Sequence, residues 1–416
     1  MNHVELDKKH CWHPFTRQDL WTDDAHEPLM IERGEGAWLY DSEGNGYIDG
    51  NASIWTNIHG HQHPHITGAI KAQLDTIAHS SYLGFGHGLA SELAGKLVSF
   101  FPETDLQRVF YSDDGSTAVE CAMKMALQYR LQNGEPDRVE FVAFADGYHG
   151  DTLGAASLGG VEAFFSRFRK FGITVHFVRN LAELADLAHP ERIAGVIIEP
   201  LVQGVNQIHV WPSGMLAELR AWTTEQGIHL ILDEVMTGFG RTGTMFACQQ
   251  EEVVPDFLCL AKGLTGGYLP MAATLVTETI YNGFLGGAER AFYYGHSYTA
   301  NPLGCAAALA SLEVFESEQT LIGVQEKAAY LAYKLSHLAN ENQAVKVVRR
   351  CGLVAGVELK SDKSGLGAEV CLKARNYQLL TRPIHNTIVI IPPLSITRDE
   401  IDIMVTAIDQ AICEVC

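Results

Sequence analysis

An aspartate and a lysine follow two short apolar runs in the middle of this 416-residue chain. Leu230–Leu232 is followed by Asp233, and Phe257–Ala261 is followed by Lys262. Short, continuous apolar runs bounded by turn residues predict buried strands. Burying a carboxylate or an amine at a strand end is costly unless the charge has a partner. The two residues therefore need either each other or a ligand.

Two kinds of partner fit Asp233 and Lys262. The simpler is an ordinary salt bridge between the strand ends, which the pair taken alone favours. The other is a pyridinium cofactor such as pyridoxal phosphate, because its ring nitrogen pairs with an acid and its aldehyde condenses with a lysine. The choice depends on which other residues the fold brings to the same place.

The glycine-rich sequence GFGRTG, residues 238–243, matches the G-x-G-x-x-G pattern of dinucleotide-binding sites. Such a site requires the glycines to join a strand to a helix, with an acid about 20 residues further on. Here the glycines lead into TMFACQQEE, which lacks the periodicity of an amphipathic helix, and the nearest acids come too early. We interpret the glycines as a flexible turn behind Asp233.

Alternating histidines in HGHQHPH raise the question of a metal site. They are His59, His61, His63 and His65. Zinc ligands are instead spaced i,i+4 on a helix or paired with cysteines, and Pro64 interrupts any regular presentation. We therefore interpret them as structural residues that lead into a helix predicted over Ile66–Ala78, and we expect no metal.

Strands and helices alternate from residue 108 onward. The strand-like sequences are RVFYS, VEFVAFA, GVIIEP, the runs before Asp233 and Lys262, and MAATLV. This alternation predicts an α/β fold with a mostly parallel central sheet in a large domain. Ligands of such sheets bind outside the carboxyl ends of the strands. Five polar residues are predicted there: Ser116, Tyr148, Glu199, Asp233 and Lys262.

A phosphate site is predicted where DDGS precedes the helical sequence TAVECAMKMALQYR. Gly115 and Ser116 lie at the start of this helix, where free N–H groups and the helix dipole favour a phosphate. A plain serine N-cap explains the same residues.

Composition excludes several classes of partner. Lys and Arg number 30 against 50 Asp and Glu, so the formal charge is −20, which argues against nucleic acid and anionic membranes. The N-terminus lacks the apolar core of a signal peptide, and no apolar run reaches the 18 or more residues of a membrane span. Nine scattered cysteines fit a reducing compartment. We expect a cytoplasmic protein.

Three segments are predicted. Residues 1–59 form an N-terminal arm and a hairpin that turns at Asp41–Gly46 and joins the small domain. Residues 60–312 form the large domain, and residues 313–416 form a smaller α+β domain.

The order of DDGS, GYHGD, LDEVMTGFGRTG, LAKGLTGGYLP and GHSYTANPLGC resembles the class III pyridoxal-phosphate-dependent aminotransferases. WHPFT, IWTNIHGH, AMKMALQY, GYHGDT and TRP are similar to the branch that acts on 8-amino-7-oxononanoate in biotin synthesis. The resemblance implies a fold type I homodimer with active sites shared between subunits. It also implies pyridoxal phosphate as cofactor and two small-molecule partners, an amine donor and a keto-acid acceptor, in a ping-pong reaction.

Position by position, the resemblance implies a role for each matching residue around the cofactor. Lys262 binds the aldehyde, Asp233 pairs with the ring nitrogen, and Tyr148 and Val235 enclose the ring. The phosphate contacts are Gly115, Ser116 and, from the partner subunit, the residues that match His296 and Ser297.

The resemblance also implies a substrate pocket. Gly295 lies near the substrate, Arg382 receives a substrate carboxylate as a bidentate fork, and the pocket includes Phe15, Ile54 and Trp55.

The amine donor depends on three pocket positions. Relatives that use adenosylmethionine have aromatic residues where this chain has Phe15, Ile54 and Val389, two of them tyrosines. An aromatic face over a sulfonium contributes roughly 0.5–2 kcal/mol to binding. The loss of an aromatic ring or its hydroxyl at these positions therefore weakens the binding of adenosylmethionine. The chain is more similar to members that use lysine, and we predict lysine. Two alternatives stay open: another omega-aminotransferase acting on ornithine, 4-aminobutyrate or a diamine, and a non-catalytic protein on the same fold.

Overall fold

The computed structural model describes residues 2–416 and is built around a seven-stranded sheet. In spatial order across the sheet, the strands are Leu106–Ser112, Ala272–Thr277, Phe257–Leu260, His229–Asp233, Ile193–Ile198, Glu140–Phe144 and Val175–Val178. Ala272–Thr277 is antiparallel to both neighbours, and every other pairing is parallel. The predicted mostly parallel α/β sheet is confirmed.

Apolar side chains cover both faces of this sheet. The five central strands from Ala272–Thr277 to Glu140–Phe144 are buried along their whole length, which is why their sequences are continuous apolar runs. On one face lies the helix Gly115–Gln132, with eight buried residues. The predicted strand–turn–helix arrangement at DDGS is therefore present.

Most of the other helices pack around the seven-stranded sheet or lie in the N-terminal arm. They are His3–His10, Gln18–Trp21, Pro64–Thr76, Gly88–Val98, Leu153–Leu158, Glu162–Phe165, Met215–Glu225, Glu278–Asn282 and Pro302–Ser317. The helix predicted over Ile66–Ala78 begins two residues earlier, at Pro64. Proline is tolerated in the first turn because the N–H groups there have no partner within the helix. None of the helices in the described part of the chain is long and apolar enough to span a bilayer.

A second, antiparallel sheet forms in the C-terminal part of the chain. Its strands, in spatial order, are Val345–Cys351, Val354–Leu359, Thr387–Ile390 and Pro383–Ile384. Its companion helices are Thr320–Glu341, Leu366–Ala374 and Arg398–Val415. This is the α+β arrangement expected of the smaller domain.

The N-terminal hairpin is present and joins the C-terminal region. Trp38–Asp41 pairs with Gly46–Asp49, and Ile31–Glu35 adds a third strand. Gly46–Asp49 also pairs in parallel with Leu379–Leu380. The helix Pro302–Ser317 continues past residue 312, and the boundaries at 59 and 312 remain a proposal.

The two misleading motifs have structural explanations. GFGRTG is followed by irregular chain and the short helix Ala247–Glu251 instead of a long helix, as predicted. The four histidines have different partners and do not converge: His59 contacts Ser311, His61 contacts Asp49, His63 contacts Glu318 and His65 contacts Glu313. No group of three or more potential metal-ligating side chains occurs within residues 2–416.

Candidate active site

The carboxyl ends of the central strands form one edge, here called the sheet edge, that carries Ser116, Tyr148, Glu199, Asp233 and Lys262. The strands that end in Asp233 and before Lys262 are parallel neighbours, with Asp233 opposite Cys259. The sequence therefore placed these five residues correctly at one edge.

Lys262 lies just beyond its strand, with φ +40°, a conformation that only a constrained non-glycine residue keeps. The residue is half-buried, because part of its side chain faces an open cavity. Burial lowers the pKa of its amine, while the charges of Asp233 and Glu199 oppose that shift. A lowered pKa enlarges the neutral, nucleophilic fraction of the amine.

Asp233 is 5% exposed and is held by two donors. The Nδ1 atom of His149 lies 2.7 Å from Oδ2, and the backbone N–H of Val235 donates to Oδ1 at 3.1 Å. The His149 side chain is itself buried. Sequence reasoning assigned His149 no role, although it lies inside the motif GYHGD.

Glu199 is a second buried carboxyl group at the sheet edge. It accepts hydrogen bonds from the backbone N–H groups of Tyr148, at 3.2 Å, and Gly204, at 2.8 Å. Burial raises its pKa to about 7. The group therefore exchanges a proton near neutral pH.

Tyr148 presents its ring to the same cavity. Its hydroxyl donates to Oδ2 of Asp151 at 2.6 Å, and its ring packs against that of Phe165 with centroids 5.8 Å apart. Burial, followed by the hydrogen bond to Asp151, raises the pKa of this phenol far above its usual range. Tyr148 is thus a fixed, neutral aromatic wall.

The start of the helix Gly115–Gln132 is closely packed and capped. Asp114 accepts the Thr117 N–H at 2.8 Å, which leaves the N–H groups of Gly115 and Ser116 available. A Cβ on Gly115 would lie 2.6 Å from Cγ1 of Val235, so only glycine fits there. Ser116 lies beside Asp151, whose N–H donates to the serine Oγ at 3.0 Å.

The GHSYT loop lies beside the predicted phosphate site. Nδ1 of His296 is 3.5 Å from Oδ2 of Asp113 in the same chain, and its Nε2 is buried without a hydrogen-bond partner within residues 2–416. Gly295 and Ser297 flank it and do not line the large cavity. Their contact with a partner subunit's site stays a prediction.

A cavity of about 880 Å³ opens over Lys262. It brings together six predicted site residues: Phe15, Ile54, Trp55, Tyr148, Lys262 and Arg382. Val389, the third donor-related position, also lines it. Arg17 and Arg167 add two guanidinium groups that sequence reasoning did not assign, and this lining contains no Asp or Glu. The cavity therefore suits substrates that carry a carboxylate.

One wall of the cavity has an unusual backbone. Ala52–Trp55 forms a single turn of left-handed helix, here called the left-handed turn, with φ values between +42° and +70°. It is closed by hydrogen bonds from Trp55 N–H to Asn51 O and from Thr56 N–H to Ala52 O. This conformation costs roughly 1–2 kcal/mol per residue for L-amino acids. The sequence ASIW contains no glycine, so it does not predict left-handed backbone.

The family model for class III aminotransferases matches residues 21–412 of the chain. The chain belongs to the class III aminotransferases. This aminotransferase is similar to the adenosylmethionine-8-amino-7-oxononanoate aminotransferase of Nitratidesulfovibrio vulgaris, with 46% identity covering 99% of this chain and 81% of that relative. The relative of the same name from Geobacter sulfurreducens is 43% identical, covering 98% of this chain and 96% of the relative.

Two solved structures resemble this aminotransferase over nearly its whole length. Adenosylmethionine-8-amino-7-oxononanoate aminotransferase from Methanocaldococcus jannaschii gives a TM-score of 0.96 at 42% identity, covering 99% of this chain and 98% of that chain. An amine transaminase from an uncultivated Pseudomonas species, solved in its PLP-bound (internal aldimine) form, gives 0.92 at 33% identity, covering 98% and 99%. The predicted fold type I architecture is confirmed.

Proposed function

We propose that this aminotransferase converts 8-amino-7-oxononanoate to 7,8-diaminononanoate in biotin synthesis, with lysine as the amine donor. The observation that carries the proposal is the single cavity that joins the amine of Lys262 to the guanidinium of Arg382. An acceptor with a carboxylate at one end and a ketone further along its chain fits these two groups. The full-length similarity to relatives named for this acceptor supports the same choice.

The cofactor is pyridoxal phosphate, and the sheet edge fits it. Lys262 would bind the aldehyde carbon, Asp233 would face the ring nitrogen, and Gly115 and Ser116 would hold the phosphate. A Cβ on Gly115 would lie 2.6 Å from Cγ1 of Val235, so the glycine lets the start of the helix lie close to the valine that would pack against the ring. When bound, the cofactor withdraws electrons from the carbon that loses its proton.

The chain's own residues then divide the work. The freed amine of Lys262 moves the proton as general base and acid. Asp233, oriented by His149, keeps the ring nitrogen protonated. Arg382 orients the substrate through its carboxylate, because a guanidinium and a carboxylate form two parallel hydrogen bonds.

Lysine as donor is supported by three positions that lack either the aromatic ring or the hydroxyl found in the adenosylmethionine-using pattern. Phe15, Ile54 and Val389 all line the cavity that contains Lys262. The names of the similar relatives contain adenosylmethionine, and they support the other donor. Both donors carry a carboxylate and a second cation, so the cavity's arginines alone do not separate them.

We also propose a cytoplasmic homodimer with shared active sites. The Nε2 of His296, which is buried and finds no hydrogen-bond partner among the described residues, supports a ligand contact at the GHSYT loop. All nine cysteines are free, which fits a reducing compartment.

The first half-reaction tests the donor. The purified pyridoxal phosphate form is mixed separately with lysine and with adenosylmethionine, and conversion of the cofactor to its amine form is followed by absorbance. Rapid conversion by lysine supports the proposal. Conversion by adenosylmethionine with none by lysine contradicts the donor and leaves the acceptor standing, and the acceptor is tested by adding 8-amino-7-oxononanoate to the amine form.

Matched variants sharpen this test. Phe15→Tyr and Val389→Tyr each restore a phenol to the cavity, and we expect them to raise the rate with adenosylmethionine relative to lysine. Tyr293→Phe, at an exposed tyrosine outside the cavity lining, serves as the control.

A further inference from the structure

The left-handed turn keeps a conformation that its sequence disfavours. Ile54, with φ +66° and ψ +52°, is β-branched, and such residues are true outliers in the left-handed region. The residue is 45% exposed, so its burial does not hold the backbone in place. Strained backbone persists only where the surroundings determine it, and it clusters at functional sites.

Asp49 is the group that holds the turn. Its Oδ1 accepts the Ser53 backbone N–H at 2.9 Å, and its Oδ2 accepts the Ser53 hydroxyl at 2.8 Å. Both donors belong to one residue in the middle of the turn. The aspartate is 3% exposed, so water does not compete for these hydrogen bonds.

His61 orients Asp49 from the other side. Its Nε2 lies 3.0 Å from Oδ2 of Asp49, and its Nδ1 lies 3.0 Å from Nδ2 of Asn57. Because the Asn57 amide donates to Nδ1, the proton of His61 is on Nε2 and is donated to Asp49. Nη2 of the fully buried Arg241 donates to the carbonyl oxygen of Asn57 at 2.6 Å, which fixes the chain just after the turn.

The turn in its left-handed form aims two side chains into the cavity. The ring centroid of Trp55 lies 4.7 Å from Nζ of Lys262, and the Trp55 Nε1–H donates to Oδ1 of Asn51 at 2.8 Å. Ile54 lines the same cavity. Any relaxation of the turn to right-handed or extended backbone would turn both side chains away from Lys262.

We propose that Asp49, oriented by His61, is a positioning residue of this aminotransferase. By accepting two hydrogen bonds from Ser53, it keeps the turn left-handed and so sets the position of Trp55 beside the reacting amine. The inference rests on the proposed function only for the identity of the acceptor.

The test combines loss and rescue. Asp49→Asn has one acceptor oxygen for three donors, so we expect the turn to relax and kcat/KM with 8-amino-7-oxononanoate to fall about 10- to 100-fold, with bound pyridoxal phosphate retained. Adding Ser53→Gly should restore most of the loss, because glycine adopts left-handed backbone without steric cost. Adding Ser53→Ala removes the same hydroxyl but keeps a Cβ, and should not restore it.

Crystal structures of the variants give a readout that does not depend on the substrate. We expect φ of Ser53 and Ile54 to leave the left-handed region in Asp49→Asn and to return in Asp49→Asn/Ser53→Gly. If Asp49→Asn does not fold, Ser53→Val and Ser53→Asn provide the same comparison at an exposed position, with loss expected only for valine.

Three results would overturn the proposal: wild-type kinetics in Asp49→Asn (or, should that variant not fold, in Ser53→Val), equal rescue by alanine and glycine, or an unchanged turn in a slow variant. If the wild type does not aminate 8-amino-7-oxononanoate, the proposed acceptor is wrong, and the φ angles still decide the role of Asp49.

Discussion

The sheet edge and the left-handed turn meet at one cavity but are built in opposite ways. At the sheet edge, regular parallel strands bring Asp233 and Glu199 together, and the unusual φ of Lys262 is confined to one residue. In the left-handed turn, four consecutive residues have a disfavoured backbone conformation, which is stabilised by hydrogen bonds to Asp49. The amine that would carry the chemical step thus directly follows a regular strand, whereas the ring of Trp55, 4.7 Å from that amine, is placed by strained backbone.

The largest expected effect is at the sheet edge. Lys262→Ala should abolish transamination, because residues 2–416 bring no other amine into the cavity lining, while the contacts to the phosphate preserve cofactor binding. Steady-state assays and the cofactor content of the purified variant measure both. Lys170→Ala, outside the cavity lining, is the control. Multiple turnovers by Lys262→Ala without added amine would break the assignment of the sheet edge to the chemical step.

Asp233→Asn should have the next largest effect. An amide does not stabilise a positive ring nitrogen, and loss of one preorganised electrostatic group typically costs roughly 3–4 kcal/mol of transition-state stabilisation, or about 10²- to 10³-fold in kcat. Single-turnover rates at saturating donor measure this. Asp146→Asn, on the exposed turn after the strand Glu140–Phe144, should have little effect. A normal kcat in Asp233→Asn would mean that another residue pairs with the ring.

A smaller effect is expected when only the left-handed turn is disturbed. A Cβ on Gly204 would lie 2.9 Å from the Trp55 ring, so Gly204→Ala should displace that ring and lower kcat/KM for the acceptor by about 10-fold. Cofactor content should not change. Gly95→Ala, where a Cβ meets no atom within 4 Å, is the matched control. Equal kinetics in the two alanine variants would show that the position of Trp55 does not matter.

The last prediction concerns stability, where no effect on catalysis is needed to detect the change. The pKa of Glu199 is raised by burial from 4.5 to about 7, so the folded apoprotein binds a proton that the unfolded chain releases. This contribution is fully present below about pH 4.5 and is lost as pH rises through about 7, which amounts to about 3 kcal/mol. Denaturant titrations of the apoprotein at pH 5 and pH 8 should show this difference in the wild type and not in Glu199→Gln. The same pH dependence in both proteins would contradict it.

The sequence predicts the sheet edge well because buried parallel strands have a recognisable sequence pattern. Continuous apolar runs before Asp233 and Lys262 are what strands buried on both faces require. The pairing of His149 with Asp233 joins a loop residue to the end of a strand 84 positions later, and one sequence does not specify such a contact. The left-handed turn escapes prediction for a different reason. ASIW lacks the glycine or asparagine that usually marks left-handed backbone. In the sequence, Asp49, which holds the turn, is indistinguishable from an ordinary residue at the end of a strand.

The pairing of Ile48 with Leu379 joins residues about 330 positions apart, and it bears on how the protein matures. Contacts between such distant segments form late, since they must overcome a large loop-closure entropy. During synthesis, the N-terminal hairpin emerges long before the strand it pairs with. Arg382 follows that strand by two residues, and the turn that carries Trp55 follows the hairpin. The substrate cavity is therefore completed only when residues 379–389 have left the ribosome, so a nascent chain that has folded its central sheet before then lacks the complete cavity.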